Sequence, residues 1–274
     1  MSRSETRTIM EFLAENPAVD VSRAWERCVG IHARIVERVR ARFPVERHPQ
    51  NAGQDYWTSP DGQLEGGFWG YTGPEVDWLV HSWIGNRKAS ILDMNATVFL
   101  SQQNRVPHLC VIFGTIPRLY FYAEYIPRVD LRTNPDYLQK YYEPANAGFL
   151  QFPSDPQWTR FVSHGTYLRA LMSPVAVSSH AELNDANIDT CEKFLAGFVD
   201  RWFGWLDDAE TVPEEERAAQ QAYDYTVRDL GYRTDPMNVL PRRVLGEAEF
   251  NRRLEMRIGT GQMADSRGRW APRR

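Results

Sequence analysis

The sequence of 274 residues has only three cysteines, and it contains no nucleotide-binding glycine loop, no metal-ligand cluster and no nucleophile elbow. Cys28, Cys110 and Cys191 are too widely spaced for a C-x-x-C pair or a zinc site. Scattered cysteines in an odd number are typical of a reducing compartment, so we predict a cytoplasmic location. Cys28 and Cys110 lie in apolar periodic segments, which predicts that both are small core residues.

Long apolar runs are also absent. No segment approaches the ~18 apolar residues of a membrane-spanning helix, and residues 1–16 lack the apolar stretch of a secretory signal. The formal net charge of −4 is too small to indicate a nucleic-acid partner. These absences predict a soluble protein with no membrane span and no nucleic-acid partner.

Aromatic residues, by contrast, are abundant: 9 Trp, 12 Tyr and 13 Phe. Such a content suits a flat conjugated ligand, although the packing of an ordinary core explains it more often. The length of the chain fits one large domain or two small ones. We predict a single domain over residues 1–263, followed by a disordered basic tail over 264–274.

The first half of the chain predicts a long helix followed by a sheet. Apolar residues recur at helical spacing over 21–43. Because the predicted strands are separated by only a few residues, we expect an antiparallel meander of about five or six strands. Apolar segments between short breakers place these strands at 63–71, 76–84, 89–100, 108–115 and 119–126.

The second half is mostly helical, with helices predicted over 166–172, 182–207, 214–230 and 247–258. A helix, then a sheet, then several helices is the pattern of an α+β domain. We therefore predict an antiparallel β-sheet sandwiched between α-helices, an α/β/α three-layer sandwich.

Several short segments match a known family in the same order. They are VDWLVHSWI at 76–84, Phe99-Leu100 leading to Pro107, NPDYLQKYY at 134–142, Ser173-Pro174, EEER at 214–217 and Pro241-Arg242. In this arrangement, residues 76–246 resemble the red chlorophyll catabolite reductases, which belong to the ferredoxin-dependent bilin reductases. The specificity comes from the common order of the segments rather than from any one of them.

The resemblance implies both a fold and a chemistry. Members have an antiparallel sheet between helices, and they reduce open-chain tetrapyrroles one electron at a time. Reduced ferredoxin supplies the electrons, no flavin or metal is bound, and acidic side chains protonate a radical that forms on the substrate. The resemblance therefore implies an oxidoreductase with ferredoxin as its partner.

Two other functions stay open at this point. One is an enzyme of the same fold that acts on another conjugated substrate, and the other is a non-catalytic protein that binds a pigment. Dependence on an electron donor separates both enzymes from the binding protein. The oligomeric state stays open as well, a homodimer included.

Asp235 is the main candidate for a proton donor. It lies in the turn RTDP at 233–236, and its distance from the EEER and Pro241-Arg242 segments matches the position of a catalytic aspartate of the family. A carboxyl in an apolar pocket suits the role that the resemblance implies, because burial raises its pKa toward neutrality. The alternative is an Asp-Pro turn in which Asp235 is a helix N-cap.

The family's second acid lies in the strand over 107–113, where this chain has Ile112 instead of a carboxylate. Side chains two residues apart share one face of a strand, so His108 and Cys110 point the same way as Ile112. Because imidazole titrates near neutral pH, His108 is a candidate substitute donor. The alternative is a histidine on the surface at the end of the strand.

Four further polar residues lie within the predicted strands. His81 interrupts the apolar segment 78–83, either as a pocket acid or as a buried neutral histidine bonded to a neighbour. Asp93 and Asn95 share one face of the next strand, and Glu124 lies in a later strand. An edge or solvent face is their default place, but Asp93 or Glu124 facing the ligand would restore the missing acid.

Arginines are candidates for binding carboxylates and a protein partner. Arg128 and Arg132 flank the connection after the last strand, and a guanidinium can contact a propionate through two hydrogen bonds. The alternative is that both are solvated loop residues. Nine arginines and four acids between Arg242 and Arg274 give an excess of positive charge. A basic surface of this kind would steer an acidic ferredoxin toward the protein. The alternative is a solvated helix face followed by a loose basic tail.

Overall fold

The computed structural model describes residues 3–15, 18–115 and 117–259, so the predicted tail over 264–274 lies outside the described residues. The described part forms one large sheet with helices on both of its faces. Its strands are β1 (Arg3–Glu5), β2 (Glu46–Arg47), β3 (Trp57–Thr58), β4 (Glu65–Thr72), β5 (Val76–Asn86), β6 (Ile91–Leu100), β7 (His108–Thr115), β8 (Leu119–Ile126), β9 (Thr159–Phe161) and β10 (Val177–Ala181).

The helices of the described part lie before, between and after these strands. They are α1 (Ile9–Glu15), α2 (Ser22–Arg42), α3 (Pro135–Tyr141), α4 (Asn146–Ser154), α5 (Thr166–Leu171), α6 (Asp185–Asp207), α7 (Glu214–Arg233), α8 (Val239–Leu245) and α9 (Glu247–Ile258). Short 3₁₀ turns occur at Pro49–Asn51, Glu143–Ala145 and Pro236–Asn238. Of the helices described, none is both long and apolar enough to cross a membrane.

The strand order across the sheet is β1-β9-β10-β8-β7-β6-β5-β4-β2, and β3 pairs with β4 beside this path. Strands β4 to β8 form the antiparallel meander that their short connections predict. The expected five or six strands were too few, because β1, β2, β3, β9 and β10 also join the sheet. Each has only two to five residues, too short for an apolar alternation to be visible.

The long amphipathic helix α2 covers one face of the sheet. Its buried positions recur at helical spacing and share one core with α6 and with residues of β6, β7 and β8. The helix ends before Phe43, whose extended backbone is the conformation expected for a residue that precedes proline. Cys28 and Cys110 are buried, as predicted, and Cys191 is buried as well.

The helices α7 and α9 cover the opposite face. Met256 of α9 packs on apolar residues of β4, β5 and β6, and its neighbours Phe250, Leu254 and Ile258 pack near Tyr225 and Tyr232 of α7. Helices on both faces of an antiparallel sheet confirm the predicted α/β/α sandwich.

Candidate active site

A cavity of about 250 Å³ lies between the sheet and the helices α5, α7 and α9. Alternate residues of β6, β7 and β8 form its floor, because successive side chains of a strand point to opposite faces. The segment 7–9 and Phe12 also line it. Most of the lining is apolar, and the polar side chains that β6, β7 and β8 contribute are Asp93, Asn95, Thr97, Cys110, Thr115, Tyr120, Tyr122 and Glu124.

Glu124 of β8 places a buried carboxyl in this floor. One carboxyl oxygen accepts the backbone N–H of Ser173 at 2.5 Å, and the other accepts the hydroxyl of Tyr122. Burial raises the pKa of Glu124 to about 7, although both hydrogen bonds favour the ionised form. Glu124 is therefore an acid that holds its proton near neutral pH, with two donors in place for its carboxylate.

Asp235 follows α7 and lines the cavity from the helical side. Its Oδ1 accepts the backbone N–H of Met237 at 2.9 Å, so Asp235 is the N-cap of the 3₁₀ turn Pro236–Asn238. Burial raises the pKa of Asp235 to about 6, against the opposing effects of the Met237 N–H and the Arg257 guanidinium. The same carboxyl thus caps a turn and faces the cavity.

Asp93 and Asn95 lie on the cavity side of β6 rather than on a solvent face. Burial raises the pKa of Asp93, and the Arg257 guanidinium opposes this rise. The side-chain oxygen of Asn95 accepts the Thr97 hydroxyl at 3.0 Å. Asp93 is therefore a third carboxyl at the cavity, after Glu124 and Asp235.

A smaller chamber of about 70 Å³ adjoins the main cavity. Asp93 and Arg257 line both spaces, so they stand at the boundary between them. The other walls of the chamber are largely aromatic and apolar, with Trp57, Phe68 and Trp83 among them.

Ile112 points into the cavity at the position where the resemblance implies an acid. In the register of the sheet it pairs with Asn95 on β6 and with Tyr122 on β8. Glu124 lies two residues after Tyr122 on the same face and pairs with Cys110. The carboxyl that is missing at Ile112 is thus present one strand away.

His108 shares the face of Ile112 but lies outside the cavity lining, at the start of β7. It is fully buried, its Nδ1 accepts the backbone N–H of Leu100 at 2.9 Å, and its Nε2 lies 3.4 Å from Oδ1 of Asp224. Burial, assisted by the Arg128 guanidinium, lowers the pKa of His108 to about 4. His108 is therefore a neutral core residue and not the surface histidine of the alternative interpretation.

His81 of β5 lies on the face of the sheet opposite the cavity. The centroid of its ring is 5.9 Å from that of His32 on α2 and 5.1 Å from that of the Trp69 ring. Burial lowers the pKa of His81 to about 4. The structure separates His81 from the carboxyls that line the cavity.

Arg128 is buried in a polar network rather than solvated, and it does not line the cavity. Its Nη2 donates to Asp224 at 2.6 Å and to the carbonyl of Ser101 at 2.9 Å. Arg132 is exposed and pairs with Asp130 at 2.9 Å. Neither arginine predicted to bind substrate lies at the cavity.

The sequence patterns miss the arginines that do line the cavity: Arg7, Arg118, Arg228 of α7 and Arg257 of α9. A signal for Arg257 exists, because it lies seven residues after Phe250 and three after Leu254, within the apolar stripe of its helix. Arg228 takes an inward position on α7, where only 3% of its surface is exposed.

The cavity also contains a thiol, that of Cys110, whose sulfur lies 3.2 Å from the hydroxyl oxygen of Thr97. Burial raises the pKa of Cys110 to about 12, so it remains a protonated thiol near neutral pH. Within the described ranges, no three His, Cys, Asp or Glu side chains come together as ligands for a metal ion.

Part of the predicted basic patch can be placed on α8 and α9. Arg242 pairs with Glu247 at 3.1 Å, and Arg252 and Arg253 each pair with Glu249 at 2.7 Å. The arginines after residue 259 lie outside the described residues. Glutamates of α9 therefore balance part of the positive charge in the portion that the structure describes.

The chain is similar to a known family and to several of its members. The family model described as red chlorophyll catabolite reductase (RCC reductase) matches residues 35–254. A red chlorophyll catabolite reductase of Hordeum vulgare is 27% identical over 156 residues, which cover 52% of this chain and 76% of that protein. The chloroplastic red chlorophyll catabolite reductase of Arabidopsis thaliana is 23% identical over 240 residues, 80% of this chain and 75% of that protein.

A solved structure has the same fold. The crystal structure of tomato phytochromobilin synthase in complex with biliverdin matches with a TM-score of 0.70 at 15% sequence identity. The match covers 85% of this chain and 83% of the synthase. At this identity the likeness concerns the fold, and it agrees with the α/β/α sandwich.

The location predicted from the cysteines is wrong. The relative from Arabidopsis thaliana and another from Oryza sativa subsp. japonica are both named chloroplastic, which points to a plastid rather than the cytoplasm. Scattered buried thiols argue against an oxidising compartment, but they do not distinguish one reducing compartment from another.

Proposed function

Because this chain belongs to the red chlorophyll catabolite reductase family, we propose that it reduces a double bond of an open-chain tetrapyrrole. The observation that carries this proposal is the set of three carboxyls, Asp93, Glu124 and Asp235, around a largely apolar cavity. The relatives are named for reduction of a chlorophyll catabolite, and the synthase of the same fold was solved with biliverdin, also an open-chain tetrapyrrole.

Reduction of one double bond consumes two electrons and two protons. We assign the electrons to reduced ferredoxin, which delivers them one at a time, so the conjugated substrate holds the unpaired electron between the two transfers. No flavin or metal is assigned to the protein. This part of the proposal rests on the family resemblance.

The protons are assigned to Glu124 and Asp235. A carboxyl whose pKa lies near 7 or 6 still carries a proton in a useful fraction of molecules at neutral pH. Each also has partners for the carboxylate that remains: Glu124 has the Ser173 N–H and the Tyr122 hydroxyl, and Asp235 has the Met237 N–H. Hydrogen bonds that favour the ionised form assist the release of the proton.

Glu124 takes over the part that the family assigns to the strand acid. Ile112 leaves an apolar surface at that point of the floor, while Glu124 reaches the same cavity from β8. Asp93 is a third acid, at the boundary with the smaller chamber. With Ile112 in place of an acid on β7, the proton donor is therefore a residue of the neighbouring strand β8.

The test is an anaerobic absorbance assay with ferredoxin, its reductase and NADPH. Biliverdin and a chlorophyll-derived open-chain tetrapyrrole are supplied separately, and each absorbance spectrum is followed with and without the electron donor. A donor-dependent change in the bound pigment supports the reductase and identifies the substrate branch. Binding spectra that do not respond to the donor would instead favour a pigment-binding protein or an enzyme for another conjugated substrate.

A further inference from the structure

Residues 3–15, which we call the strap, cross the mouth of the main cavity. The side chains of the strap that line the cavity are Arg7, Thr8, Ile9 and Phe12. The mouth is marked by lining residues that are also exposed to solvent, namely Arg118, His164 and Met237. Glu11 of the strap is within electrostatic range of His164, and α1 lies beside α8. The strap therefore runs from β1, at the edge of the sheet, to the helical side of the mouth.

One end of the strap is attached through a short strand. β1 pairs in parallel with β9 at the edge of the sheet, and each of these strands has three residues. The Glu5 carbonyl accepts the Val162 N–H at 2.8 Å, and the Glu5 carboxylate lies 3.0 Å from Nε2 of His180. Because so short a pairing has few contacts to lose, it opens more easily than the long strands of the meander.

The other end of the strap continues into the body of the protein. The Val19 N–H donates to the Ser90 hydroxyl at 2.9 Å, and the Val21 N–H donates to the Arg87 carbonyl at 2.7 Å. The helix α2 follows, with its buried face in the main core. Release of β1 therefore frees the strap at one end only.

Between its two ends, the strap is stabilised by its own polar contacts. Thr8 and Glu11 form a capping box, in which the Thr8 N–H donates to the Glu11 carboxylate at 2.6 Å and the Glu11 N–H donates to the Thr8 hydroxyl at 3.2 Å. The Arg7 guanidinium pairs with Glu15 at 2.7 Å and lies over the Phe12 ring, 4.5 Å from its centroid. These contacts stay within the strap, so α1 can keep its shape when it leaves the mouth.

The apolar contacts of the strap face the cavity. Ile9 is the buried residue of α1. The centroid of the Phe12 ring is 6.0 Å from that of Phe161 and 6.2 Å from that of His180. Since Ile9, Phe12, Phe161 and His180 all line the cavity, an apolar ligand that fills it contacts the strap and adds to what holds the strap in place.

We propose that the strap opens at β1 to admit the ligand and then closes over it, with Ile9 and Phe12 against the bound molecule. The inference rests on the proposed function only in placing the tetrapyrrole in this cavity. A closed strap excludes water from the site where a substrate radical is protonated. The competing arrangement is a fixed wall, past which the ligand enters and leaves without any movement of residues 3–15.

The main test ties β1 to the sheet with a disulfide. Ser4 and Arg160 are register partners on β1 and β9, and both are exposed. They lie on the face away from the cavity, because Phe161 faces the cavity and side chains alternate along a strand. In stopped-flow absorbance with biliverdin and no electron donor, we expect Ser4→Cys/Arg160→Cys to bind and release the pigment roughly tenfold or more slowly when oxidised than when reduced. Equal rates in the two forms would overturn the proposal.

Matched variants control for the thiols and for the ligand contact. Ser4→Cys alone should show no difference between oxidising and reducing conditions, because the native cysteines are buried. Phe12→Ala should release biliverdin roughly tenfold faster, since it removes apolar surface from the closed strap, whereas Phe12→Leu should stay close to the wild type. Release from Phe12→Ala at the wild-type rate would contradict a strap that closes on the ligand. Melting temperatures confirm that each variant is folded.

A second probe separates this inference from the proposed function. 8-Anilinonaphthalene-1-sulfonate is a fluorescent apolar molecule, and its binding can be followed without a tetrapyrrole. If the disulfide slows binding of this probe while no tetrapyrrole is reduced, the strap stands and the proposed function fails. If a tetrapyrrole is reduced while the probe and biliverdin bind the oxidised and reduced forms at equal rates, the function stands and the strap is refuted.

Discussion

Among single residues, Glu124 is the proposed proton donor of the sheet. It lines the cavity from β8, whereas Ile112 occupies the position where the family has an acidic residue. Burial in the cavity floor opposes ionisation, while the Ser173 N–H and the Tyr122 hydroxyl moderate that effect. The balance leaves the pKa of Glu124 at about 7 rather than at an extreme. An acid in this range can release a proton to a substrate radical and recover it from solvent.

Glu124→Gln should lower turnover by roughly 10²- to 10⁴-fold, the usual contribution of a positioned acid. In the wild type, turnover should fall as pH rises through about 7, because the donor loses its proton in that range. The variant should lack the fall near pH 7 and keep only the fall near pH 6 that ionisation of Asp235 sets. Steady-state rates between pH 5.5 and pH 9 test both statements, and a variant with the wild-type profile would remove Glu124 from the mechanism.

The same substitution should change stability in a defined direction. Because the folded state raises the pKa of Glu124 from 4.5 to about 7, wild-type stability falls as pH rises through this window. Glu124→Gln removes that loss, which is about 3 kcal/mol for a shift of this size. Urea unfolding at pH 4 and pH 8 should therefore show the variant gaining stability relative to the wild type only at the higher pH.

At the scale of elements, Asp235 combines a structural task with a chemical one. It is the N-cap of the 3₁₀ turn Pro236–Asn238, and its carboxyl also lines the cavity. Asn is as good an N-cap as Asp, whereas Ala is not. The two tasks can therefore be separated by substitution.

Below about pH 6, where Asp235 is protonated, Asp235→Asn should keep the melting temperature, and at higher pH it should not lower it, because burial opposes ionisation of the carboxyl. Affinity for the tetrapyrrole should stay the same while turnover falls by roughly 10²- to 10⁴-fold. Asp235→Ala should lose turnover and, in addition, about 1 kcal/mol of stability with the cap. Parallel thermal unfolding and turnover measurements distinguish the two variants. Retained turnover in Asp235→Asn would leave Asp235 as a cap alone.

The interface between α2 and β5 contains a pair of buried histidines, His32 and His81. Both ring nitrogens of His32 and Nε2 of His81 lack partners among the described residues. Burial lowers the pKa of both rings, that of His81 to about 4, and the proximity of the two rings lowers the pKa of His32 further. Protonation of either ring therefore destabilises this interface.

Acid should weaken this interface. Because the folded state lowers the pKa of His81 from 6.5 to about 4, stability is lost as pH falls through this window. The contribution of His81 is about 3 kcal/mol. His81→Phe replaces the ring beside Trp69 with one that does not titrate, and its urea midpoint should fall less between pH 6.5 and pH 4. An identical acid response in the variant would assign the effect elsewhere.

Strand alternation explains which site residues can be predicted from sequence. Periodicity correctly places Asp93 and Asn95 on one face of the sheet, but it does not show which face has the cavity. For this reason His81 could be predicted as a pocket residue, although it lies on the opposite face, against His32 of α2. His108 has the right face and lies four residues before Ile112, roughly 13 Å along the strand and beyond the cavity. Alternation determines a face, while tertiary packing determines where on that face the cavity lies.

At the scale of the whole molecule, local patterns predict the long elements and the layers. The bounds of β7, β8 and α9 agree with those predicted from the sequence, because their apolar patterns are long and end at clear breakers. The short outer strands and the cavity arginines of α7 and α9 are not predicted, because only tertiary packing determines them. The family resemblance supplies the position of Asp235, which composition and periodicity would leave as a turn.

An acidic electron donor should approach the α8–α9 surface. Arg243 is exposed there, so Arg243→Glu should raise the KM for ferredoxin several-fold and leave tetrapyrrole affinity unchanged. Added salt should raise the KM of the wild type in the same direction. The matched control is Arg23→Glu, which makes the same charge change. Arg23 lies on α2, which covers the opposite face of the sheet. Equal effects of the two substitutions would place the ferredoxin surface elsewhere.

In the proposed reaction, the carboxyls of the cavity protonate a tetrapyrrole that ferredoxin has reduced. The most direct measurement is an anaerobic single turnover of the wild type and of the variant Glu124→Gln/Asp235→Asn, each with bound tetrapyrrole and reduced ferredoxin. Absorbance follows the product, and electron paramagnetic resonance follows the radical. We expect product from the wild type and a persistent substrate radical with little product from the variant. Product formation by the variant at the wild-type rate would contradict this mechanism.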